Sequence, residues 1–106
     1  MADLLYTAVI EKYIGEQFDE EFEFSGFIPE STNVNSAVVL ILDSSGVDVT
    51  DVRKVAQSIS GTVVTVSIST GTVETGYVVR VTATSTSNVP AMQSKLLNVT
   101  APGVYR

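Results

Sequence analysis

Residues 59–86, ISGTVVTVSISTGTVETGYVVRVTATST, decide the fold class of this chain. Apolar and hydroxyl side chains alternate over 62–69 and again over 77–85. A period of two places alternate side chains on opposite faces of an extended strand. Residues 70–76 separate the two runs and carry a glycine near each end, which favours a hairpin with more than two loop residues. The stretch therefore predicts two β-strands, each buried on one face.

The flanking sequence predicts further short strands. In 18–24, Phe18, Phe22 and Phe24 share one face, and Glu20 is the one acidic residue on that inner side. The segment AVVLILD at 37–43 is apolar on both faces, which is typical of a central strand covered on each side or of a strand that crosses the middle of a sandwich. The predicted strands are 4–13, 18–24, 37–43, 62–69, 77–85 and 94–100, with a turn at 87–90 before the last.

Residues 50–59 leave two alternatives open. Thr50 is a suitable N-cap, and Val52 and Val55 fall on one side of a helix, which predicts a short helix over 51–58. An irregular crossover between two sheets fits equally well. Turn signals about every 8–12 residues predict an all-β, immunoglobulin-like antiparallel β-sandwich of about seven strands.

Length and composition predict a single domain. The chain has 106 residues, 44% of them hydrophobic, which suits one sheet-on-sheet core. The predicted domain spans 1–106, with its structured part at about 4–100 and a tail at 101–106 that Pro102 and Gly103 keep out of any sheet. The predicted core is Phe22, Phe24, Val38, Leu40, Val64, Val66, Ile68, Val79, Val81 and Leu97.

The residues that are missing restrict the chemistry. The chain has no cysteine and no histidine, which removes disulfides, thiolate metal sites and the commonest general base. Residues 1–15 lack a basic n-region, and no apolar run approaches the ~20 residues of a membrane span. We therefore expect no enzymatic activity, no cofactor, no membrane contact and no small-molecule ligand, in a protein made in the cytosol.

The negative charge is concentrated in the N-terminal third. The net charge is −6, and residues 1–30 hold eight acidic side chains against Lys12 alone. With no basic patch, nucleic-acid binding is not expected. Asp19, Glu21 and Glu23 form a predicted outward row, and we hypothesise that this row faces a basic surface on the next copy or on another protein. A plain solubility surface is the alternative.

Three sets of polar residues are candidates for metal binding or hydrolysis. The acidic row, or Asp43, Asp48 and Asp51 around Gly46, offers oxygen ligands for Ca²⁺, although turn-favouring aspartates explain the second set without a metal. A small hydrolase would need a base beside a nucleophile, and a serine with Lys54 or Lys95 is the one such pair available. Paired glycosidase carboxylates face each other across a cleft, whereas the acidic row lies along one strand.

Several short motifs occur in an order that resembles a known family. They are Glu21-Phe22-Glu23-Phe24-Ser25-Gly26, Ile59-Ser60-Gly61-Thr62-Val63-Val64-Thr65-Val66, Gly71-Thr72, Gly76-Tyr77, Arg80-Val81-Thr82 and Leu97-Asn98-Val99. In this order they resemble the small immunoglobulin-like virion proteins of tailed phages and prophages, the fiber–tail adaptor proteins. The resemblance covers roughly residues 10–100. Family members often carry tryptophan after the acidic strand, where this chain has Phe24 and Phe27.

The resemblance implies a structural role. It implies no catalysis, no cofactor and a function in virion assembly through contacts with other tail or fiber proteins, with a homo-oligomer or a ring as the possible assemblies. The expected location is the host cytoplasm and then the tail of the assembled virion. The alternative is a carbohydrate- or cell-surface-binding domain of an adhesin, which would need an exposed aromatic platform.

Overall fold

The computed structural model describes residues 8–101, which form two packed β-sheets. A four-stranded sheet has the order β1-β7-β6-β3, and a three-stranded sheet has the order β2-β5-β4. A single helical turn, α1, lies between β3 and β4. The elements are β1 Ala8–Tyr13, β2 Gln17–Glu23, β3 Val34–Leu42, α1 Thr50–Arg53, β4 Lys54–Ser60, β5 Val63–Ser69, β6 Thr75–Ser85 and β7 Pro90–Thr100.

One strand pair departs from the predicted antiparallel arrangement. β1 runs parallel to β7, with Ile10 opposite Leu97, whereas the remaining pairs are antiparallel. β1 begins the described chain at Ala8, so residues 4–7 of the predicted first strand, and 102–106 of the predicted tail, lie outside the described residues. β7 starts at Pro90, four residues earlier than predicted. A proline is compatible with the first position of a strand because its missing N–H is not required there.

Alternating residues of both sheets build the core. Phe22 and Phe24 pack from the β2 side, and Tyr77 packs from the start of β6. Eight of the ten predicted core residues are buried, namely Phe22, Phe24, Val64, Val66, Ile68, Val79, Val81 and Leu97. Phe18 is half-buried at the margin of this cluster. The period-two analysis was therefore confirmed wherever one face is clearly polar.

The prediction for β3 was wrong in both position and facing. β3 is an edge strand and not a central one, and only its inner face is fully covered. Val39 and Ile41 point into the core, whereas Val38 is 69% exposed and Leu40 is only half-buried. A strand that is apolar on both faces does not reveal which face points inward. Burial of the Val39 side was decided by the partner strand β6, because Val39 lies opposite Val81.

The predicted hairpin at 70–76 is a crossover between the sheets. β5 pairs with β2 and β4, and β6 pairs with β3 and β7. Thr70 is fully buried, and its amide donates to the Glu16 carbonyl at 2.9 Å. Its hydroxyl donates to the Tyr13 carbonyl at 2.8 Å. These contacts attach the start of the connection to the β1–β2 turn, which directs the chain away from β5 and towards the other sheet.

The predicted helix at 51–58 is mostly strand. α1 ends at Arg53, and residues from Lys54 onwards pair with β5. The Thr50 hydroxyl is not the predicted cap: it accepts a hydrogen bond from the Ile41 amide at 2.8 Å instead. β-Branched residues favour the extended state, and pairing with β5 provides the hydrogen bonds that a longer helix would have made. The crossover alternative was closer, because this segment carries the chain from one sheet to the other.

Polar side chains close both lateral sides of the sandwich. On one side, Gln57 of β4 donates to the Ala37 carbonyl of β3 at 3.1 Å. On the other, Gln93 of β7 donates to the Glu23 carbonyl and Lys95 donates to the Glu21 carbonyl at 2.6 Å.

The described residues contain no helix that is long and apolar enough to cross a membrane.

Candidate functional site

The predicted acidic row lies on the outer face of the three-stranded sheet. Asp19, Glu21 and Glu23 are all exposed along β2, an edge strand. They alternate with the inward-facing Phe18, Glu20 and Phe22, as the sequence predicted. Across the sheet they lie opposite Ser67, Thr65 and Val63 of β5. The row is therefore a continuous acidic strip with the hydroxyl groups of Ser67 and Thr65 beside Asp19 and Glu21, and with Val63 beside Glu23.

Two members of the row are oriented by neighbouring groups. The Ser67 hydroxyl donates to Asp19 Oδ1. Glu23 Oε2 accepts the Thr62 hydroxyl at 2.5 Å and the Ser25 amide at 2.9 Å. The Thr62 hydroxyl, followed by the Ser25 amide, lowers the pKa of Glu23 below its ordinary value. These hydrogen bonds favour the charged form of Glu23 and hold both carboxylates in place before any partner binds.

Glu20 is the inward exception that the sequence indicated. Its Oε2 atom lies 2.6 Å from Lys95 Nζ, with Lys95 12% and Glu20 24% exposed. The same ammonium group lies 4.5 Å from the centroid of the Phe22 ring. Glu20 and Lys95 therefore form a half-buried pair that joins β2 to β7, and neither is part of the acidic row.

The aspartates around Gly46 stabilise turns. Asp43 Oδ1 accepts the amides of Ser45 and Val47 at 2.8 and 2.9 Å. Asp48 Oδ1 accepts the Thr50 hydroxyl at 2.6 Å and the Thr50 amide at 2.9 Å, and the hydroxyl is the main reason that the pKa of Asp48 is lowered. Within residues 8–101, no three His, Cys, Asp or Glu side chains are placed to hold a metal ion.

The two candidate lysines are engaged by acceptors other than serine. Lys54 Nζ donates to Gln57 Oε1 at 2.7 Å. Lys95 Nζ donates to Glu20 and to the Glu21 carbonyl. These bonds favour a structural role for both lysines over a Ser–Lys dyad.

An open pocket of about 280 Å³ lies at the end of the sandwich where α1 meets the 70–76 connection. Arg53 stands on one wall, and its Nη1 atom lies 3.4 Å from the Ser69 carbonyl. A Cβ atom on Gly71, whose φ is +79°, would lie 2.1 Å from that nitrogen. The absence of a side chain at Gly71 therefore allows Arg53 to pack there. The pocket is lined by Asp43, Ser44, Val49, Val52, Arg53, Val73, Thr75 and Tyr77.

The exposed aromatic residues do not form a shared platform. Tyr13 is 40% and Phe27 49% exposed. The Tyr13 carbonyl contacts Thr70, just beyond the end of β5, whereas Phe24 donates its amide to Thr62, just before the start of β5. Phe27 packs edge-on against Phe24, with ring centroids 5.9 Å apart. The two exposed rings therefore belong to opposite ends of the sandwich. Tyr6 and Tyr105 lie outside the described residues.

Comparison with solved structures identifies the fold. The structure of the titin M4 domain superposes with a TM-score of 0.54 at 16% sequence identity, covering 91% of each chain. The chain has an immunoglobulin-like fold. Strands β2, β5 and β4 take the places of B, E and D in that fold, and β3, β6 and β7 take those of C, F and G.

The remaining comparisons do not extend this result. A Photobacterium sp. JT-ISH-224 2,6-sialyltransferase structure, with CMP and lactose, has a TM-score of 0.42 at 15% identity. That match covers 96% of this chain and 19% of the sialyltransferase. No protein-family model matches the chain, and no curated protein matches it.

One surface was missed by sequence reasoning: the outer face of the four-stranded sheet. Its apolar members are Val9, Val38, Leu40, Leu42, Val78, Met92 and Leu96. The signal was present in 37–43, where apolar residues occupy both faces. It was interpreted as a strand covered on each side, whereas it marks a sheet face that the domain itself does not cover.

Proposed function

We propose that this protein is a non-enzymatic structural protein of a tailed phage or prophage virion, which connects tail or fiber components through protein–protein contacts. The observation that carries the proposal is the character of its two outer sheet faces. One face carries a group of aliphatic side chains, and the other bears the acidic row Asp19, Glu21 and Glu23. Broad, nearly flat surfaces suit protein partners, whereas enzymes and small-ligand sites rely on clefts with converging polar groups.

The phage setting rests on the sequence resemblance. The immunoglobulin-like fold is compatible with it but occurs in proteins with many unrelated functions, so the fold by itself does not select a setting. The resemblance extends over most of the strands, from the acidic strand to Leu97-Asn98-Val99. The location that follows is the host cytoplasm during synthesis and the tail after assembly.

Within this proposal, the acidic row contacts a basic surface of a tail or fiber partner. Hydrogen bonds from Ser67 and Thr62 orient Asp19 and Glu23 in the absence of that partner. Charges presented in this way steer association and set docking register more than they raise affinity. Side chains oriented beforehand also lose less conformational entropy on binding.

The test changes the row without changing the core. The variant carries Asp19→Asn, Glu21→Gln and Glu23→Gln, and a matched control carries Glu30→Gln, Asp51→Asn and Glu74→Gln, three exposed acids elsewhere. Each variant removes three negative charges. Recovery of tail proteins by pull-down, and incorporation into particles after prophage induction, are followed at low and moderate salt. We expect the row variant alone to lose partner recovery, most visibly at moderate salt.

Two results would contradict the proposal in different ways. Equal recovery and equal salt tolerance in both variants would leave the row as a solubility surface. Absence of the wild-type protein from purified particles, measured by mass spectrometry, would remove the virion role itself.

A further inference from the structure

The two outer faces of the sandwich differ sharply in polarity. On the three-stranded sheet, the outward positions of β5 and β4 include Thr65, Ser67 and Ser58, next to the acidic row. On the four-stranded sheet, seven aliphatic side chains occupy outward positions, together with polar ones such as Thr82, Ser94 and Asn98. The face formed by Val9, Val38, Leu40, Leu42, Val78, Met92 and Leu96 is called the apolar face below.

The apolar face is open to solvent in the single chain. Val9, Val38 and Met92 are 56%, 69% and 57% exposed, and the other four members are half-buried between their neighbours. Contiguous apolar surface of this kind marks interaction sites in soluble proteins. Four strands and three rows of outward side chains span roughly 20 by 20 Å, or about 400 Å² in projection. Two such corrugated faces in contact bury on the order of 1,000 Å², the lower limit for a specific protein interface.

Two of the edge strands, β2 and β3, already use backbone carbonyls for contacts within the domain. Carbonyl groups on edge strands provide the hydrogen bonds by which an added strand would pair. On β2, the Glu21 and Glu23 carbonyls already accept Lys95 and Gln93. On β3, the Ala37 carbonyl already accepts Gln57. A partner therefore gains little by pairing along β2 or β3.

Two charged side chains on the apolar face have a symmetric placement. On β6, Arg80 lies opposite Ser94, two residues before Leu96 of β7. On β1, Glu11 lies opposite Asn98, two residues after Leu96. They lie in opposite diagonal directions, with Leu96 midway between them. Arg80 is half-buried and uses Nε on the Ser94 hydroxyl at 3.4 Å, and Glu11 is exposed. In the described part of the chain, these are the two charged residues at outward positions of this sheet.

We propose that the apolar face binds a second copy of this chain, face to face, about a two-fold axis that passes close to Leu96. A two-fold axis that lies in the plane of the contact, perpendicular to the line from Arg80 to Glu11, exchanges the two diagonal positions. It therefore places Arg80 of each copy opposite Glu11 of the other, so both buried charges are compensated. The polar face, with the acidic row, stays in water on both outer sides of the dimer. This contact does not depend on the proposed phage setting.

The experiment measures self-association by analytical ultracentrifugation of the full chain from about 1 μM to about 1 mM. We expect a reversible dimer in the wild type. The variants Arg80→Glu and Glu11→Arg should each weaken dimerisation about tenfold or more, and the double variant should recover most of that loss. The matched control, Glu30→Arg, makes the same charge change as Glu11→Arg at an exposed position between β2 and β3, outside both outer faces, and should dimerise like the wild type. A further variant, Val9→Lys, leaves Arg80 and Glu11 unchanged. It places a charge at an exposed apolar position and should also abolish the dimer.

A monomeric wild type up to the highest concentration would overturn the proposal. A double variant that dimerises no better than the single variants would also overturn it, because the proposed dimer pairs Arg80 of each copy with Glu11 of the other. Circular dichroism and melting temperatures of every variant establish that each is folded. Dimerisation is measured without tail proteins, so its failure is separable from failure of the virion role.

Discussion

At the scale of single residues, aromatic side chains on β2 dominate the packing. Phe22 and Phe24 are fully buried, and the amide of Phe24 donates to the Thr62 carbonyl at 2.9 Å. Phe27, three residues on, is 49% exposed and covers the Phe24 ring edge-on. One aromatic residue therefore fills the core while its neighbour closes the end of it.

Replacing Phe24 by alanine should destabilise the protein strongly. The change removes a fully buried ring and leaves a cavity, which costs about 3–5 kcal/mol. The control Phe27→Ala removes a half-exposed ring and its edge-on contact, and should cost about 1 kcal/mol. Chemical denaturation measures both. An unchanged midpoint in Phe24→Ala would mean that the assignment of this end of the core is wrong.

At the scale of elements, β2 has two faces that serve different purposes. Its inner face joins the sheets through Phe22 and through Glu20, which pairs with Lys95 of β7. Its outer face presents carboxylates that neighbouring hydroxyls hold in place, as Thr62 does for Glu23. Like charges along one strand repel each other, and hydrogen bonds from hydroxyl groups partly offset that repulsion.

The Thr62 hydroxyl should make stability depend on pH. The folded pKa of Glu23 is lowered, so its contribution is present above the unfolded value, about 4.3, and is lost as pH falls through the folded pKa. Thr62→Val removes the main cause of the lowering. We expect the variant to be less stable than the wild type at neutral pH and to approach it as the pH falls below about 4.

The measurement is the free energy of unfolding across pH 2–7, a range wide enough to include both carboxylate states. Thr65→Val is the matched control, since Thr65 lies on the same face of β5 opposite Glu21. A constant difference between Thr62→Val and the wild type at every pH would show that the Thr62 bond does not favour the charged form.

At the scale of the whole molecule, the two outer faces of the sandwich carry different kinds of side chain. Carboxylates gather on the outer face of one sheet, aliphatic side chains gather on the outer face of the other, and polar side chains close the flanks between them. The aspartates at the β3–α1 turn serve the turn itself: Asp43 accepts Ser45 and Val47, and Asp48 accepts Thr50. In the described part of the chain, no three His, Cys, Asp or Glu side chains are placed so that they could hold a metal ion.

Calcium should therefore leave the stability of the molecule unchanged. A ligand that binds only the folded state raises the melting temperature by mass action, and the hydrogen-bonded aspartates offer no gathered set of oxygens for Ca²⁺. Thermal melts with millimolar Ca²⁺ and with EDTA should superimpose. Stabilisation by Ca²⁺ that EDTA abolishes would restore either the acidic row or the Asp43 turn as a metal site.

The sequence by itself determined the fold class, the single-faced strands and the acidic row. Alternation over 62–69 and 77–85 assigned Val64, Val66, Val79 and Val81 to the core correctly, because the inward face of such a strand is encoded locally. The outward placement of the acidic row followed from the same period in β2. Only the tertiary structure decided which strands are neighbours. Alternation is identical whether two strands pair side by side or face each other across a core, so β5 and β6 looked like a hairpin.

The tertiary structure also decided the facing of β3 and the composition of the apolar face. β3 is apolar on both sides, so its partner β6 selected Val39 and Ile41 for the core and left Val38 in solvent. The diagonal of Glu11, Leu96 and Arg80 joins β1, near the N-terminal end of the chain, to β7 and β6, near the C-terminal end. Local patterns contain no information on such pairings, because they arise from contacts between residues that are distant along the sequence.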